Sequence, residues 1–235
     1  MVENILYKTE YKINDHITLK IPTIGEVINN ETEYYNNVSW ITATPFDMMV
    51  QLDEMNIDFT QISDWDLFCI LFGELQSRDL SLIFKNIKLS DFTTAINKQN
   101  GMLVFVNQQT GAVIDRVIHE QICRFLRRIL CFERSEKRPA NEEAKKFMIE
   151  RAKRKQKRSA KREGSFLEDQ IIALVNAPGY PYDYQSTLDL TIYQFNMSLR
   201  QTVKKDAYDK IMTGYYTGTI DVKNINSEDL NWISN

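Results

Sequence analysis

Residues 63–75 read Ser-Asp-Trp-Asp-Leu-Phe-Cys-Ile-Leu-Phe-Gly-Glu-Leu and contain the longest unbroken apolar run of the chain, 67–72. Ser63 and Asp66 resemble a capping box, the side-chain pair that begins many helices, although glutamate or glutamine is the usual second member. The residues that follow are almost wholly apolar, so they predict a short helix at the centre of the core. The run is far shorter than the roughly 20 apolar residues needed to span a bilayer.

The residues before this helix predict a strand pair and two helices. Over 4–21, apolar and polar side chains alternate around a turn at Asn14-Asp15-His16, which is typical of two short strands. Pro22 ends the second strand, and the apolar spacing over 23–40 favours a helix. Thr44 followed by Pro45 resembles an N-cap with proline at the first helical position, which predicts the next helix.

The residues after it return first to strands and then to helices. Between 85 and 115 the apolar period changes from about 3.6 to about 2. Ile87 and Leu89 alternate with polar residues, and the apolar runs 102–106 and 112–115 flank a turn that ends at Gly111, which predicts a hairpin. Further helices are expected in the remaining sequence, at 117–132, 166–175, 188–203, around 207–212, and at 227–232.

A basic segment at 145–162 interrupts this pattern. It contains ten lysine and arginine residues and one acid, Glu150, so it carries +9 while the rest of the chain carries −12. Pro139 and Gly164 bound a predicted helix of about 25 residues, roughly 37 Å at 1.5 Å per residue. After Ala152 it has almost no apolar side chains, so that half is expected to lie in solvent or on an acidic partner.

Together these patterns predict an α+β fold that is predominantly helical, with a short N-terminal strand pair, a central β-hairpin and a long exposed basic helix. We divide the chain into an N-terminal α+β domain at 1–135, a basic helical linker at 136–164 and a helical C-terminal domain at 165–235.

The basic segment supplies the candidate binding residues. Nucleic-acid phosphates could pair with its charges, but aromatic side chains for base stacking are almost absent from it. The other interpretations are a solvated helix, a contact with an acidic protein, or a membrane surface, for which the apolar second face is missing. The residues assigned to this surface are Lys153, Arg154, Lys155, Lys157, Arg158, Lys161 and Arg162.

Motifs for catalysis and cofactors are missing from the sequence. It has no GxxxxGK[ST], GxGxxG, GxSxG or HExxH pattern. Cys123 follows His119 by one helical turn, so a nucleophilic pair is geometrically conceivable, but such spacings are frequent on helices and a buried thiol beside a histidine is the simpler interpretation. We therefore expect that the protein is not an enzyme and that it binds no metal, cofactor or small-molecule substrate.

The cellular location is also predicted from what the sequence lacks. Three cysteines at unrelated spacings build no disulfide framework, which fits a reducing cytosol. The N-terminus lacks a secretory signal, and no segment suits a membrane.

Adjacent tyrosines at 34–35, 180–184 and 215–216 favour protein binding, because tyrosine is enriched at interfaces.

Five segments carry a resemblance to a known family. They are 21–26 (Ile-Pro-Thr-Ile-Gly-Glu), 42–52 (Thr-Ala-Thr-Pro-Phe-Asp-Met-Met-Val-Gln-Leu), 173–176 (Ala-Leu-Val-Asn), 214–221 (Gly-Tyr-Tyr-Thr-Gly-Thr-Ile-Asp) and 229–232 (Asp-Leu-Asn-Trp). They resemble tail-assembly chaperones and tail-associated proteins of tailed bacteriophages that infect Gram-positive bacteria.

The resemblance implies a late, non-enzymatic role in virion assembly, in the host cytoplasm or within the virion. The implied partner is a viral tail protein of the tape-measure type, which such chaperones are thought to coat until the tail tube polymerises. The opposite charges of the body and the basic segment suggest a second copy of the chain as a further partner. The alternative function is nucleic-acid binding through residues 145–162.

Overall fold

The computed structural model describes residues 4–98, 100–134, 138–159, 164–220, 225 and 231–233. Within them, helices dominate and strands form two small antiparallel sheets. The helices are α1 (Ile24–Ile28), α2 (Glu31–Thr42), α3 (Met49–Glu54), α4 (Asp64–Gln76), α5 (Arg116–Ile129), α6 (Glu142–Ser159), α7 (Phe166–Val175), α8 (Tyr184–Leu188) and α9 (Ile192–Tyr216). The strands are β1 (Glu10–Lys12), β2 (Thr18–Lys20), β3 (Thr93–Ile96), β4 (Leu103–Val106) and β5 (Val113–Ile114). The predicted helix-dominated α+β class is confirmed.

Helix α4 is the central core helix that its sequence predicts. The Ser63 hydroxyl accepts a hydrogen bond from the Asp66 N–H at 3.2 Å, and the Asp66 carboxylate accepts one from the Ser63 N–H at 2.8 Å. Phe72 stacks on Phe105 of β4 with ring centroids 3.5 Å apart. Burial of these aromatic rings therefore joins the helix to the sheet.

Both predicted strand pairs are present. In the N-terminal pair, Tyr11 lies opposite Leu19, and the Asn14 side-chain oxygen accepts from the His16 and Ile17 N–H groups to close the turn. The central hairpin pairs β4 with β5, and β3, which the sequence did not predict, adds a third strand. The alternation at Ile87 and Leu89 leads into a 3-10 helix, Leu89–Asp91.

Four predicted helices differ in extent. The helix expected over 23–40 divides at Asn29, whose amide donates to the Gly25 carbonyl at 2.8 Å and ends α1. The Thr44 hydroxyl does accept a hydrogen bond from the Asp47 N–H, as a helix cap would. The residues between them form a turn, however, and α3 begins only at Met49. The separate helices expected at 188–203 and 207–212 form one helix, α9, and the helix expected at 227–232 lies mostly outside the described residues.

The basic segment is partly docked on its own chain. Within α6, Ile149 is buried, and the Lys145 and Lys153 ammonium groups lie 2.6 and 2.8 Å from the carboxylates of Asp58 and Asp53. At these two lysines, the helix therefore lies on acidic side chains of the same chain, in and just after α3. Lys161 and Arg162 lie outside the described residues.

The C-terminal helices join the N-terminal part at one short backbone pairing. The Ile24 N–H donates to the Leu190 carbonyl and the Ile192 N–H donates to the Pro22 carbonyl, each at 2.8 Å. Between these bonds Thr23 and Thr191 face each other as an isolated antiparallel bridge. The Glu31 carboxylate accepts from the Leu167 N–H at 2.8 Å, which fixes the start of α7. The domain division at 135 and 164 stays a prediction.

Candidate functional site

A groove of about 1090 Å³ runs between the start of α4, the outer face of α5, the segment after α5 and the middle of α9. We call it the arginine groove, because seven arginines of the described chain line it, against the three carboxylates of Asp64, Glu120 and Glu133. The seven are Arg116, Arg124, Arg127, Arg128, Arg134, Arg138 and Arg200.

Helix α5 supplies four of these arginines through its strong amphipathic pattern. Its apolar face buries Ile122, Leu126 and Ile129 in the core, so the arginines between them fall on the other side. Arg116 and Arg127 are separated by three turns, about 16 Å of helix at 1.5 Å per residue. The groove therefore presents positive charge along an extended path.

Several guanidinium groups are held in place by oxygen atoms. Arg127 donates to the Thr42 carbonyl at 2.6 Å, Arg124 lies 2.8 Å from the Glu120 carboxylate, and Arg134 lies 3.0 Å from that of Asp64. Such contacts limit the rotamers of long side chains that would otherwise lose more entropy on binding a ligand.

His119 and Cys123 form the floor of the groove, and the structure brings them together. The His119 Nε2 and Cys123 Sγ atoms are 3.2 Å apart, and they lie 3.0 and 3.3 Å from the Ile41 carbonyl oxygen. Each residue is only 3% exposed, and the imidazole stacks on Phe68. Because a carbonyl only accepts, we assign the proton of the neutral imidazole to Nε2, which leaves no lone pair there to take the thiol proton.

Burial keeps both groups uncharged. It lowers the pKa of His119 to about 4, although the bond to Ile41 works in the opposite direction. It raises the pKa of Cys123 to about 12. An activated cysteine needs a lowered pKa, so the pair lacks the electrostatics of a nucleophile.

Four predicted binding residues of the basic segment have described side chains (Lys153, Arg154, Lys155 and Lys157), and none of these lines the groove. Lys153 pairs with Asp53, and Arg154 lies 3.6 Å from Glu150 on the same helix. Lys155 and Lys157 are exposed, and Arg158 lies within α6. The charge pattern that singled out 145–162 does not identify the groove, because the arginines of 116–138 are interspersed with acidic and apolar residues and Arg200 reaches them only in the fold. The available signal was the placement of Arg116, Arg124 and Arg127 opposite the apolar face of α5.

Neither a metal cluster nor a membrane helix is found in the part of the chain that the structure describes. No three His, Cys, Asp or Glu side chains there converge as metal ligands. None of the helices there is long and apolar enough to cross a membrane.

Residues 154–235 match the family model of the YomV second domain. This phage-derived family is consistent with a bacteriophage protein. The matched region contains the end of α6 and all of α7, α8 and α9, and three of the segments that carry the tail-protein resemblance lie in it. No curated protein and no solved structure matches the chain.

The buried thiol of Cys123 gives the first prediction. We expect iodoacetamide at pH 7.5 to leave Cys123 unmodified in the folded protein and to label it only after unfolding, because both access and thiolate formation are suppressed. The half-buried thiols of Cys69 and Cys131 should both react before Cys123. Peptide mass spectrometry of quenched samples measures the order. Labelling of Cys123 as fast as a free thiol would contradict this structure of the site.

The lowered pKa of His119 predicts a pH-dependent stability. The unfolded chain binds a proton near pH 6.5 and the folded chain only near 4, so the stabilisation is complete above pH 6.5 and is lost as pH falls towards 4. Between pH 7.5 and pH 5 this group should account for about 2 kcal/mol of lost stability. Urea unfolding of the wild type and of His119→Gln, which keeps a donor near Ile41, isolates the effect. Equal losses in the two proteins would show that His119 does not titrate in this way.

Proposed function

We propose that the chain is a non-enzymatic bacteriophage protein that acts in tail assembly in the host cytoplasm by binding another virion protein. The client we infer is of the tape-measure type, with the chain acting as chaperone or tail-associated component. The observation that carries the proposal is the arginine groove, a large surface built from hydrogen-bond donors over an inert floor. The tail-protein resemblance and the match to a phage-derived domain family support the viral setting.

The case against catalysis rests on the state of His119 and Cys123. They are the one nucleophile–base pair that the sequence offered, and they do meet, but both are neutral and buried. Their shared contact with the Ile41 carbonyl satisfies buried polar atoms, which is a structural role. Recognition by the surrounding arginines does not need their chemistry.

Nucleic-acid binding through 145–162 is the second candidate. Exposed Arg154, Lys155 and Lys157 on α6 favour it, since they present charge on one helix. Two other basic residues of the segment, Lys145 and Lys153, already pair with Asp58 and Asp53. These contacts lower the charge available for phosphates and anchor the helix to an acidic surface that would repel a polyanion.

An affinity pull-down from infected or co-expressing cells tests the proposed function. It is done at about 0.1 M salt, where the Debye length is about 10 Å, and at about 0.5 M, where surface charges are screened. Nuclease is added to half of the samples. We expect a virion tail protein to be retained after nuclease treatment, and its binding to weaken at the higher salt because the charges of the groove arginines are then screened.

Recovery of nucleic acid alone, lost at the higher salt, would overturn the proposal in favour of the second candidate. A variant with Lys153, Arg154, Lys157 and Arg158 replaced by glutamate separates the two. It should abolish nucleic-acid recovery if the basic segment is the site, and it should leave the tail protein bound if our proposal is correct.

A further inference from the structure

We propose that the arginine groove binds an extended, carboxylate-rich peptide segment of the protein partner. This inference rests on the proposed function, because it states which chemistry of the partner is recognised and where. It assigns that recognition to the face formed by α5, residues 131–134 and 138 after it, and α9, and not to the basic segment at 145–162.

The donor set of the groove suits carboxylates. Every cationic side chain among the described lining residues is an arginine, whose planar guanidinium group forms paired hydrogen bonds with a carboxylate, whereas lysine presents a single point charge. Among the described lining residues, seven arginines stand against three carboxylates, so positive side chains outnumber negative ones there. An incoming acidic side chain would therefore meet both charge and geometry.

Arginine–carboxylate ion pairs already occur within the groove. The Glu120 carboxylate lies 2.8 Å from Arg124, and the Asp64 carboxylate lies 3.0 Å from Arg134. Arg124 is largely exposed, with 75% of its side chain open to solvent. Exposed ion pairs of this kind contribute little to stability, so a partner can exchange its own carboxylates for them at small cost.

The shape of the groove favours an extended chain. Arg116 and Arg127 are about 16 Å apart along α5, which matches about five residues of extended peptide at 3.3 Å each. Arg200 of α9 faces this row from the other wall. A strand-like segment with acidic side chains could therefore contact arginines on both sides.

The same lining disfavours single-stranded nucleic acid. Base stacking needs exposed aromatic faces, but among the described lining residues Trp65 and His119 are buried, Tyr193 is half-buried and Phe132 is exposed. The whole chain carries a net charge of −3, so a polyanion longer than the groove would meet an acidic surface. A short acidic segment stays within the positive region.

Fluorescence anisotropy with the full-length chain tests the inference. The probes are a labelled octapeptide of alternating glutamate and aspartate, a matched peptide of glutamine and asparagine, and a labelled eight-residue oligo-dT. The test variant is Arg116→Gln with Arg124→Gln, two exposed positions. The matched control is Arg154→Gln with Lys157→Gln, since Arg154 and Glu150 repeat on α6 the pair formed by Arg124 and Glu120.

We expect the acidic octapeptide to bind the wild type and the control alike, and the groove variant at least tenfold more weakly. The neutral peptide should not bind. The variant Arg116→Lys with Arg124→Lys keeps the charge but loses the paired donors, so it should recover only part of the affinity. Circular dichroism confirms that each variant is folded.

Three results would overturn the inference: no binding of the acidic peptide, equal loss in groove and control variants, or tighter groove-dependent binding of oligo-dT. The pull-down separates this failure from failure of the proposed function. If the groove variant still retains the tail protein, the proposed function stands and the site assigned here is wrong.

Discussion

The pairing of Thr23 with Thr191 is the contact on which the candidate site depends. Each threonine begins a helix through a capping box, with Glu26 completing the first and Gln194 the second. The two helix starts are held together by the hydrogen bonds that Ile24 and Ile192 donate across the bridge. The two capping boxes, held together by these hydrogen bonds, therefore fix the direction of α9 relative to the N-terminal part.

This pairing requires close approach of the backbones. A Cβ atom at Gly25 would lie 3.3 Å from the Leu188 carbonyl oxygen, tighter than an ordinary contact, so glycine suits the position. Farther along α9, the Asn196 amide donates to the Ile129 carbonyl at the end of α5 at 3.0 Å. Arg200, one turn later, thereby reaches the groove, which has its second wall only because α9 is held in this direction.

The groove has a buried, neutral floor under a charged rim. The Ile41 carbonyl oxygen contacts both His119 and Cys123, and the aromatic rings of Trp65 and Phe68 pack against the imidazole. A charged histidine there would add to the positive charge of the rim and would be poorly solvated. Neutral floor groups leave the electrostatics of the site to the arginines.

The sequence was most informative where one helix or turn contains its own signal. Helix α4 follows from Ser63, Asp66 and an apolar run, and α5 follows from its apolar period. Helix α9 was wrongly divided because its polar middle lacks apolar spacing and is supported instead by Lys205–Asp209 and Lys210–Asp206 pairs.

The candidate site was harder to predict because the lining residues of 116–138 become a groove only through tertiary contacts with α4 and α9. The pair of His119 and Cys123 could be proposed from helical spacing, but its neutrality depends on Ile41 and on burial. The groove needs Arg200 beside α5, and no local pattern reports the tertiary contact that places it there. No local pattern reports the partners of Lys145 and Lys153 either. Because these partners lie near α3, the helix that was expected to be exposed is partly docked.

Site-specific photo-cross-linking tests the central claim, that the arginine groove contacts the virion partner, most directly. A benzoylphenylalanine at Phe132, which lines the groove and is 50% exposed, is compared with one at Tyr7, which is 85% exposed and lies outside it. In infected cells, we predict cross-links from position 132 to an acidic segment of a tail protein and none from position 7. Cross-links to that protein from position 7 alone, or from position 132 only to nucleic acid, would contradict the account.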